Sequence, residues 1–402
     1  MNLLTEGILS GAIIQTDLSR KLTLDGITEA YPVYKVRLDS LYYNDQNDRI
    51  ATWISEYKSD GGIIDTANRE GYNATIEGFI VKSNPEAIKK TQTNIELVDQ
   101  REPGVVLADG RIIDGNRRFA CLRRLVQKSD KFNHFETIIL DKNIENSAKQ
   151  IKMLELSIQH GEESKVDYNP IDRLVGLYND IIASELLSAA EYARSANEPL
   201  KDVNRRIEIA KLMVEFLEFI NAPLQFHVAR DMQIYAPIEE LPPLLNKCRT
   251  LDEAEDVKIA VFTNLLMRAE GDMRQFVRSL KNIISTDYQD DFIEEQKQIA
   301  EKVIESLPPV GQVTDKVIRD VIRSNDDIVR ELSNSTEKAM LKVKRTSIRN
   351  QPVQFIEKAT EFLEGIDINI FIKMNDSELQ RVERQLKRLE SVVEEIRGGL
   401  DD

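Results

Sequence analysis

Cysteine and histidine are both scarce in this chain of 402 residues. Its two cysteines, Cys121 and Cys248, are far apart and form no CxxC motif, so the sequence offers neither a disulfide framework nor a cysteine zinc site. The three histidines are equally isolated from one another: His134, His160 and His227. The sequence therefore predicts no metal centre built from cysteine or histidine side chains.

Long apolar runs and an excess of positive charge are missing as well. No stretch approaches the roughly 18 apolar residues that a membrane span requires, and the first residues do not join a basic segment to a long apolar one. We therefore expect a cytoplasmic protein with no membrane contact. With 69 acidic residues against 54 lysines and arginines, the net charge is -15. Such acidity excludes a protein that coats nucleic acid over its whole surface, so any contact with DNA must be local.

The signals for strands and helices are unevenly distributed. A length of 402 residues with 41% hydrophobic residues predicts two to four globular domains. β-rich runs at Tyr31–Leu38 and Ala74–Val81 flank a predicted helix at Asp48–Lys58, whereas helical periodicity dominates after about Ser147. Prolines such as Pro352 separate the helical segments. We predict an α+β fold with a mixed α/β domain at residues 1–145, a helical domain at residues 146–245 and a helical C-terminal domain at residues 246–402.

The last predicted helix, residues 377–397, has the clearest boundaries. Ser377 and Gln380 form a capping-box pattern at its start, and Gly398-Gly399 ends it. Its apolar residues are spaced 3, 4, 3, 4, 3, which is the seam of a short coiled coil: Leu379, Val382, Leu386, Leu389, Val393 and Ile396. The stripe either packs on the chain's own helical domain or pairs with another copy of the chain.

The segment from Val105 onward predicts a hairpin that leads into a helix. Two β-prone runs, Val105–Ala108 and Arg111–Ile113, are separated by Asp109-Gly110, a dipeptide that favours a type I′ turn because both positions need positive φ. Asp114-Gly115 ends the second run. From Asn116 the apolar spacing is that of an amphipathic helix, so residues 115–118 lie at a helix N-terminus.

A helix N-terminus of this kind suits an anion. Its backbone N–H groups are unpaired, and a glycine such as Gly115 lets a phosphate approach the backbone closely. Arg117 and Arg118 add two forked donors. Only Asp114 and Asp130 oppose the cations of residues 111–131: Arg111, Arg117, Arg118, Arg123, Arg124, Lys128 and Lys131. This predicts a local anion site; the alternative is that Asp114 caps the helix and the arginines pair with acids elsewhere.

The pentapeptide Asp114-Gly115-Asn116-Arg117-Arg118 resembles the nucleotide loop of the ParB/sulfiredoxin superfamily. Supporting similarities lie at Val33–Asn44, Ile138–Asp141 and Glu155–Asn179, so that the resemblance covers roughly residues 30 to 180. It implies a nucleotide-binding N-terminal domain with a nucleoside triphosphate, CTP or ATP, and Mg²⁺ as cofactors. The phosphates would be bound by Asp114, Gly115, Asn116, Arg117 and Arg118.

The chain departs from partition ParB proteins in both of their nucleotide motifs. Asn116 stands where those proteins usually have Glu, and Ala120 where they have a further Arg. Their second motif, Glu-Asn-x-x-Arg, is replaced by Leu156, Ser157 and His160 around Ile158-Gln159. The motif for CTP hydrolysis is therefore not intact, although Glu155 would be a metal ligand if the helix register differed by one residue.

Residues Leu187–Met213 resemble the helix-turn-helix that follows the nucleotide domain in ParB proteins. Ser188 caps a first predicted helix, and Asn197–Pro199 turns the chain into a second, whose inward residues are Val203, Ile207 and Ala210. The DNA-facing residues would then be Lys201, Asn204, Arg205 and Arg206. The alternative is an ordinary helical hairpin.

The leading hypothesis is a ParB-like, nucleotide-binding and DNA-binding protein that forms a homodimer. Nucleotide at the 114–118 loop would control association with DNA or with a protein partner encoded in the same operon. The alternative is an enzyme of the same superfamily, an Mg²⁺-dependent NTPase, kinase or nuclease in phage defence or on a mobile element, with a carboxylate such as Asp114 near the metal.

Overall fold

The computed structural model describes residues 2–24, 26–142, 144–161 and 169–400. A five-stranded mixed sheet occupies the N-terminal part of the chain, and helices make up most of the rest. The predicted α+β fold is confirmed.

The sheet contains four pairs of neighbouring strands, of which three are antiparallel and one is parallel. The strands are β1 (Ile13–Leu24), β2 (Ile27–Arg37), β3 (Gly104–Leu107), β4 (Ile112–Asp114) and β5 (His134–Leu140), in the order β1-β2-β5-β3-β4. β3 is parallel to β5, and the other neighbours are antiparallel. Because parallel strands need a crossover, the chain leaves β4 through helix α4 (Asn116–Leu125) before it returns as β5.

The helices fall before, within and after the sheet. Those of the N-terminal part, besides α4, are α1 (Ala51–Ser59), α2 (Arg69–Ser83), α3 (Pro85–Val98) and α5 (Ile144–Gly161). The later helices are α6 (Pro170–Leu177), α7 (Ala189–Ser195), α8 (Leu200–Phe219), α9 (Phe226–Asp231), α10 (Tyr235–Glu239), α11 (Leu241–Leu245), α12 (Leu251–Met267), α13 (Met273–Leu280), α14 (Gln289–Glu305), α15 (Asp315–Val317), α16 (Asp326–Glu364) and α17 (Asp376–Gly398).

Helices cover both faces of the sheet. Successive residues of a strand point to opposite faces, so each strand contributes side chains to two apolar clusters. One apolar cluster joins strand residues such as Val36 and Phe135 to α2, α3 and α4. The other joins Val33 and Ile138 to the inner face of α5, which contributes Ile151, Leu154 and Ile158. This packing fixes α5 next to β4, and therefore next to the loop that follows β4.

The β-rich run predicted at Ala74–Val81 is wrong, because these residues belong to α2. Asn68 caps that helix by accepting a hydrogen bond from the Gly71 N–H. The buried residues Tyr72, Ile76, Phe79 and Ile80 then recur at helical spacing, which outweighs the β propensity of the run. The helix predicted at Asp48–Lys58 is confirmed by a 3₁₀ turn that continues into α1.

The turn between β3 and β4 also differs from its prediction. Of the Asp109-Gly110 pair, only Gly110 has a positive φ, 95°, so the turn is not type I′. The Gly110 N–H donates to the Leu107 carbonyl at 2.9 Å, and the Arg111 N–H donates to Asp109 Oδ1 at 2.9 Å. A β-turn closed by one glycine therefore replaces the tighter two-residue loop.

Two sequence patterns in the last part of the chain can be compared with the structure. Pro352 lies inside α16, so the prediction that it separates two helical segments is wrong. The last predicted helix is confirmed as α17, although its capping box is formed by Asn375 and Glu378, two residues before the predicted pair. Asn375 and Ser377 are both residue types that favour N-caps, and Asn375 is the one that accepts a hydrogen bond from the first turn, from the Glu378 N–H.

The chain divides into two compact units within α16, Met1–Ala339 and Met340–Asp402. The domain boundaries expected at residues 145 and 245 remain predictions. None of the helices in the described ranges is both long enough and apolar enough to cross a membrane.

Candidate functional site

The loop predicted to bind phosphate is formed where β4 passes into α4. Gly115 is the N-cap of α4 and has φ 99°, in the left-handed region that L side chains rarely adopt. A Cβ atom at this position would also lie 2.7 Å from the Phe135 ring. The position therefore requires glycine for two reasons, and the N-terminus of α4 is presented without a side chain in front of it.

The loop is held in place by a network of charged hydrogen bonds. Arg118 donates from Nη2 to Asp114 Oδ2 at 3.0 Å and from Nη1 to the Glu102 carbonyl at 2.8 Å. Arg20 reaches the same carboxylate oxygen at 3.2 Å and the Pro103 carbonyl at 2.5 Å. Asp114 therefore orients two arginines and does not cap the helix. The loop is pre-organised by these contacts.

Most of the cations around this loop are paired with acids. The ion pairs are Arg111 with Asp45, Arg118 with Asp114 and Glu102, Arg123 with Glu70 and Glu77, Lys128 with Glu96, and Lys131 with Asp99. The excess of positive charge counted along the sequence is therefore largely offset in space. Arg117 lines the cleft in front of the loop, whereas Arg124 lies on the other side of α4.

A cleft of about 240 Å³ opens in front of the loop. Residues 114–118 form one wall, and Asn47, Arg49, Asn84 and Thr91 form another. The third wall is α5, through Glu155, Ile158 and Gln159. Segments that are distant in the sequence therefore meet at the N-terminus of α4.

Two carboxamides of the cleft have an unused carbonyl oxygen. Asn116 is 9% exposed, and its Oδ1 has no hydrogen-bond partner among the described residues. Gln159 donates to Glu155 Oε1 at 3.2 Å, while its own Oε1 is likewise buried without a partner in the described ranges. A buried, unpaired carbonyl costs free energy, so both side chains are poised to gain a hydrogen bond if the cleft rearranges around a ligand.

A buried ionic cluster supports the α5 wall of the cleft. Lys152 Nζ lies 2.7 Å from Asp48 Oδ1, 3.3 Å from Asp180 Oδ2 and 3.7 Å from Glu155 Oε2. All four side chains are at least nine-tenths buried. Burial alone would lower the pKa of Lys152, yet its attraction to three carboxylates holds that pKa well above the usual value.

The carboxylates of this cluster outnumber its cation. Burial raises the pKa values of Glu155 and Asp180, an effect that Lys152 opposes and Asp48 reinforces. Because one ammonium cannot neutralise three carboxylates in a medium of low dielectric constant, the cluster holds a proton more readily than isolated acids do.

Two of the residues that the resemblance sets in place of the second nucleotide motif, Leu156 and Ser157, do not line the cleft. Leu156 is fully buried and Ser157 is exposed, so neither lines the cleft, whereas Glu155 does. The side chain of His160 and residues 162–168 lie outside the described residues. Sequence reasoning considered Glu155 only through a shift of register, and it missed Lys152, Asp48 and Asp180. The one sequence signal was that Lys152 and Glu155 lie on the same turn of a helix.

The helix-turn-helix-like segment is a pair of helices, α7 and α8. Ser188 caps α7 in a capping box with Glu191, and Asn197 turns the chain with φ 52°. Of the four residues expected to face DNA, Lys201, Asn204 and Arg205 are exposed. Arg206 is not, because its side chain is 13% exposed and pairs with Glu198.

The charges around α8 are partly neutralised. Glu198 also pairs with Arg173, and Arg205 Nη2 lies 3.8 Å from Glu239. Val203 and Ala210 face inward as expected, whereas Ile207 is half-buried and Ile209 takes the inner position. Among the described residues, no group of three or more His, Cys, Asp or Glu side chains is placed to hold a metal ion.

Comparisons with known proteins gave matches among solved structures. No protein-family model matches the sequence, and no curated protein matches it. Among solved structures, the chain is similar to the C2221 form of a Pnob8-like ParB-N domain, with a TM-score of 0.36 and 14% sequence identity. The similarity covers 67% of this chain and 99% of that chain.

Proposed function

We propose that the cleft in front of α4 binds the phosphates of a nucleotide, and that the bound nucleotide controls association of the protein with DNA or a protein partner. The observation that carries the proposal is that a helix N-terminus opens into the cleft at a glycine with φ 99°. Backbone N–H groups in the first turn of a helix have no partner within the helix, so they are available to anionic oxygens.

The walls of the cleft add polar groups suited to a nucleotide. Arg117 and Arg49 line the cleft, and both are cations that can pair with phosphate oxygens. The unused carbonyls of Asn116 and Gln159 can accept hydrogen bonds from the hydroxyl or amino groups of a sugar or base. A nucleotide carries both kinds of complementary group, an anionic chain and hydrogen-bond donors.

Mg²⁺ fits the cleft only as a companion of the phosphates. Mg²⁺ is usually bound by one or two carboxylates together with phosphates and water. Glu155 is the carboxylate on the α5 wall and contacts Lys152 and Gln159, whereas Asp114 is held by two arginines, Arg20 and Arg118. The chain would therefore supply Glu155, and the nucleotide would supply the remaining ligands.

The proposed DNA contact is α8, through Lys201, Asn204 and Arg205. These side chains are exposed and are of the types that contact phosphates and base edges. Arg206 is left out of the proposal because it pairs with Glu198. Nucleotide can shift DNA binding only by as much as it prefers one state of the protein over another.

The test is calorimetry with CTP, ATP and GTP in the presence of Mg²⁺, with and without duplex DNA. Arg117→Ala should abolish nucleotide binding, while Arg124→Ala should not, because Arg124 is on the same helix but outside the cleft. Arg118→Ala is less informative, since it also removes the contacts that hold the loop. If Arg117→Ala binds nucleotide as well as the wild type does, the site is wrong.

An enzyme that hydrolyses or transfers a phosphoryl group is a second candidate. The observation that favours it is the raised pKa of Glu155, since a carboxylate that takes up a proton near neutral pH can act as a general base. Phosphate release that Glu155→Gln abolishes, with nucleotide binding retained, would support this candidate. The genes next to that of the protein would separate a role in segregation from one in phage defence or on a mobile element.

A further inference from the structure

The hairpin of β1 and β2 reaches beyond the rest of the sheet. β5 pairs with β2 over Val33–Arg37. Among the described residues, the outer part of the hairpin, Ser19–Leu24 with Ile27–Pro32, is therefore paired only within itself. We call this outer part the arm. Its position depends on the side chains that it places against other elements.

The arm packs on α5, which forms one wall of the cleft. Leu22 is buried in the same apolar cluster as Ile158 of α5, a residue that lines the cleft. Leu24 and Tyr31 of the arm pack against this cluster. Because alternate residues of a strand point to the same face, Arg20 lies on the same side of the arm as Leu22 and Leu24.

A bulge in β1 lies just before Arg20. β1 advances four residues, from Gln15 to Ser19, where β2 advances two. Thr16 Oγ1 holds the bulge by donating to the Val33 carbonyl at 2.8 Å. A bulge bends its strand and increases the local twist, so that it changes the direction of the side chains that follow. The bulge therefore helps to set the direction in which Arg20 leaves the arm.

Arg20 joins the arm to the 114–118 loop. Its side chain is 14% exposed, and Nη1 donates to Asp114 Oδ2 at 3.2 Å and to the Pro103 carbonyl at 2.5 Å. Arg118 donates to the same oxygen of Asp114 and to the Glu102 carbonyl. Two arginines from different elements thus hold one carboxylate oxygen and two consecutive carbonyls.

The charge of Asp114 makes this contact important for an anion. Asp114 directly precedes Gly115, so its carboxylate would repel a phosphate at the start of α4. The side chain of Asp114 is 13% exposed, and salt screens a largely buried charge poorly. Arg118 offsets the charge only in part, because it also lies 3.5 Å from Glu102. Arg20 supplies the second positive charge.

We propose that Arg20 is a positioning residue of the cleft. It neutralises Asp114 and, through the arm, holds the 114–118 loop in a fixed position relative to α5. The proposal rests on the proposed binding of nucleotide phosphates in the cleft. Arg20 is not among the residues that line the cleft, so it acts through Asp114 and not by touching the ligand.

Calorimetry on the full chain tests this role, with whichever of CTP, ATP and GTP the wild type binds. Arg20→Gln should weaken binding about tenfold, because Asp114 loses a charge-assisted hydrogen bond. Arg20→Lys keeps the charge but not the forked donors, and should weaken binding about threefold. The matched control is Lys21→Gln, an exposed cation on the other face of β1, which should bind like the wild type.

A double-variant cycle separates an action through Asp114 from a general loosening of the fold. In an Asp114→Asn background no carboxylate remains to be neutralised, so adding Arg20→Gln should weaken binding less than about threefold. An equal loss in both backgrounds would overturn the proposal, because Arg20 would then not act through Asp114. If Arg20→Gln does not fold, the same cycle is measured with Arg20→Lys.

The outcomes distinguish this proposal from the proposed function. If Arg117→Ala loses nucleotide while Arg20→Gln binds it as tightly as the wild type does, the cleft is the nucleotide site and the role of Arg20 is overturned. If the wild type binds none of the three nucleotides, the proposed function is overturned, and the role of Arg20 with it.

Discussion

The two units of the chain differ in how they treat apolar residues. In Met1–Ala339, apolar side chains are buried on both faces of the sheet and throughout the helices. In the described part of Met340–Asp402, none is buried, and aromatic residues such as Phe355 and Phe362 are 60% and 80% exposed. The first unit is thus stabilised by its own core, whereas the described helices of the second unit leave their apolar side chains exposed or half-buried.

The two units also differ in net charge. The first unit has 57 acidic residues against 43 lysines and arginines, and the second has 12 against 11. The second unit carries almost none of the chain's net negative charge.

The largest expected effect is that of removing an aromatic side chain from the first unit. Phe119 is fully buried and contacts the rings of Tyr43 and Phe135 at centroid distances of 4.8 and 6.0 Å. Phe119→Ala should lower the free energy of unfolding by about 3–5 kcal/mol. Phe362→Ala, in the second unit, should change it by less than about 0.5 kcal/mol. Urea denaturation measures both, and similar losses would contradict the contrast in packing.

A second comparison sets a buried ion pair against an exposed one. Lys152→Met leaves three buried carboxylates without their cation and should cost about 3–5 kcal/mol. Lys387 pairs with Glu383 at 3.0 Å on the surface of α17, where both side chains are more than 60% exposed. Lys387→Met should cost no more than about 0.5 kcal/mol.

Thermal unfolding of the two lysine variants at low and high salt measures this difference. The defect of Lys152→Met should persist in high salt, since buried charges are poorly screened. A mild, salt-sensitive effect in Lys152→Met would mean that water reaches the cluster.

The smallest expected effect is that of removing the N-cap side chain from either of two helices that begin with a capping box. Ser188→Ala in α7 and Asn375→Ala in α17 each remove an oxygen that accepts an N–H from the first helical turn. Each should cost about 0.5–2 kcal/mol. The loss at Ser188 should lower the main unfolding transition, because α7 packs in the first unit, whereas the loss at Asn375 should be seen only as faster amide exchange in α17. A lowered main transition in Asn375→Ala would show that α17 unfolds together with the first unit.

The sequence predicted the parts of the structure that depend on neighbouring residues. The hairpin before Gly115, the start of α4 and the extent of α17 follow from glycines, caps and apolar spacing within a few residues. The same kind of reasoning failed for Ala74–Val81, where β-prone residues form α2 because Tyr72, Ile76 and Phe79 meet the core on one helical face. Propensity is weak enough for such tertiary contacts to override it.

The features of the candidate site also divide into those that neighbouring residues determine and those that tertiary contacts determine. The sequence by itself determined Gly115, the arginines beside it and the heptads of α17, since backbone conformation and helix periodicity are local properties. Only the tertiary structure decided that Glu155 faces the cleft, that Arg206 pairs with Glu198, and that Lys152 meets Asp48, 104 residues before it, and Asp180. Burial sets the cost of every charge, and which charges are buried together is fixed only when distant segments pack.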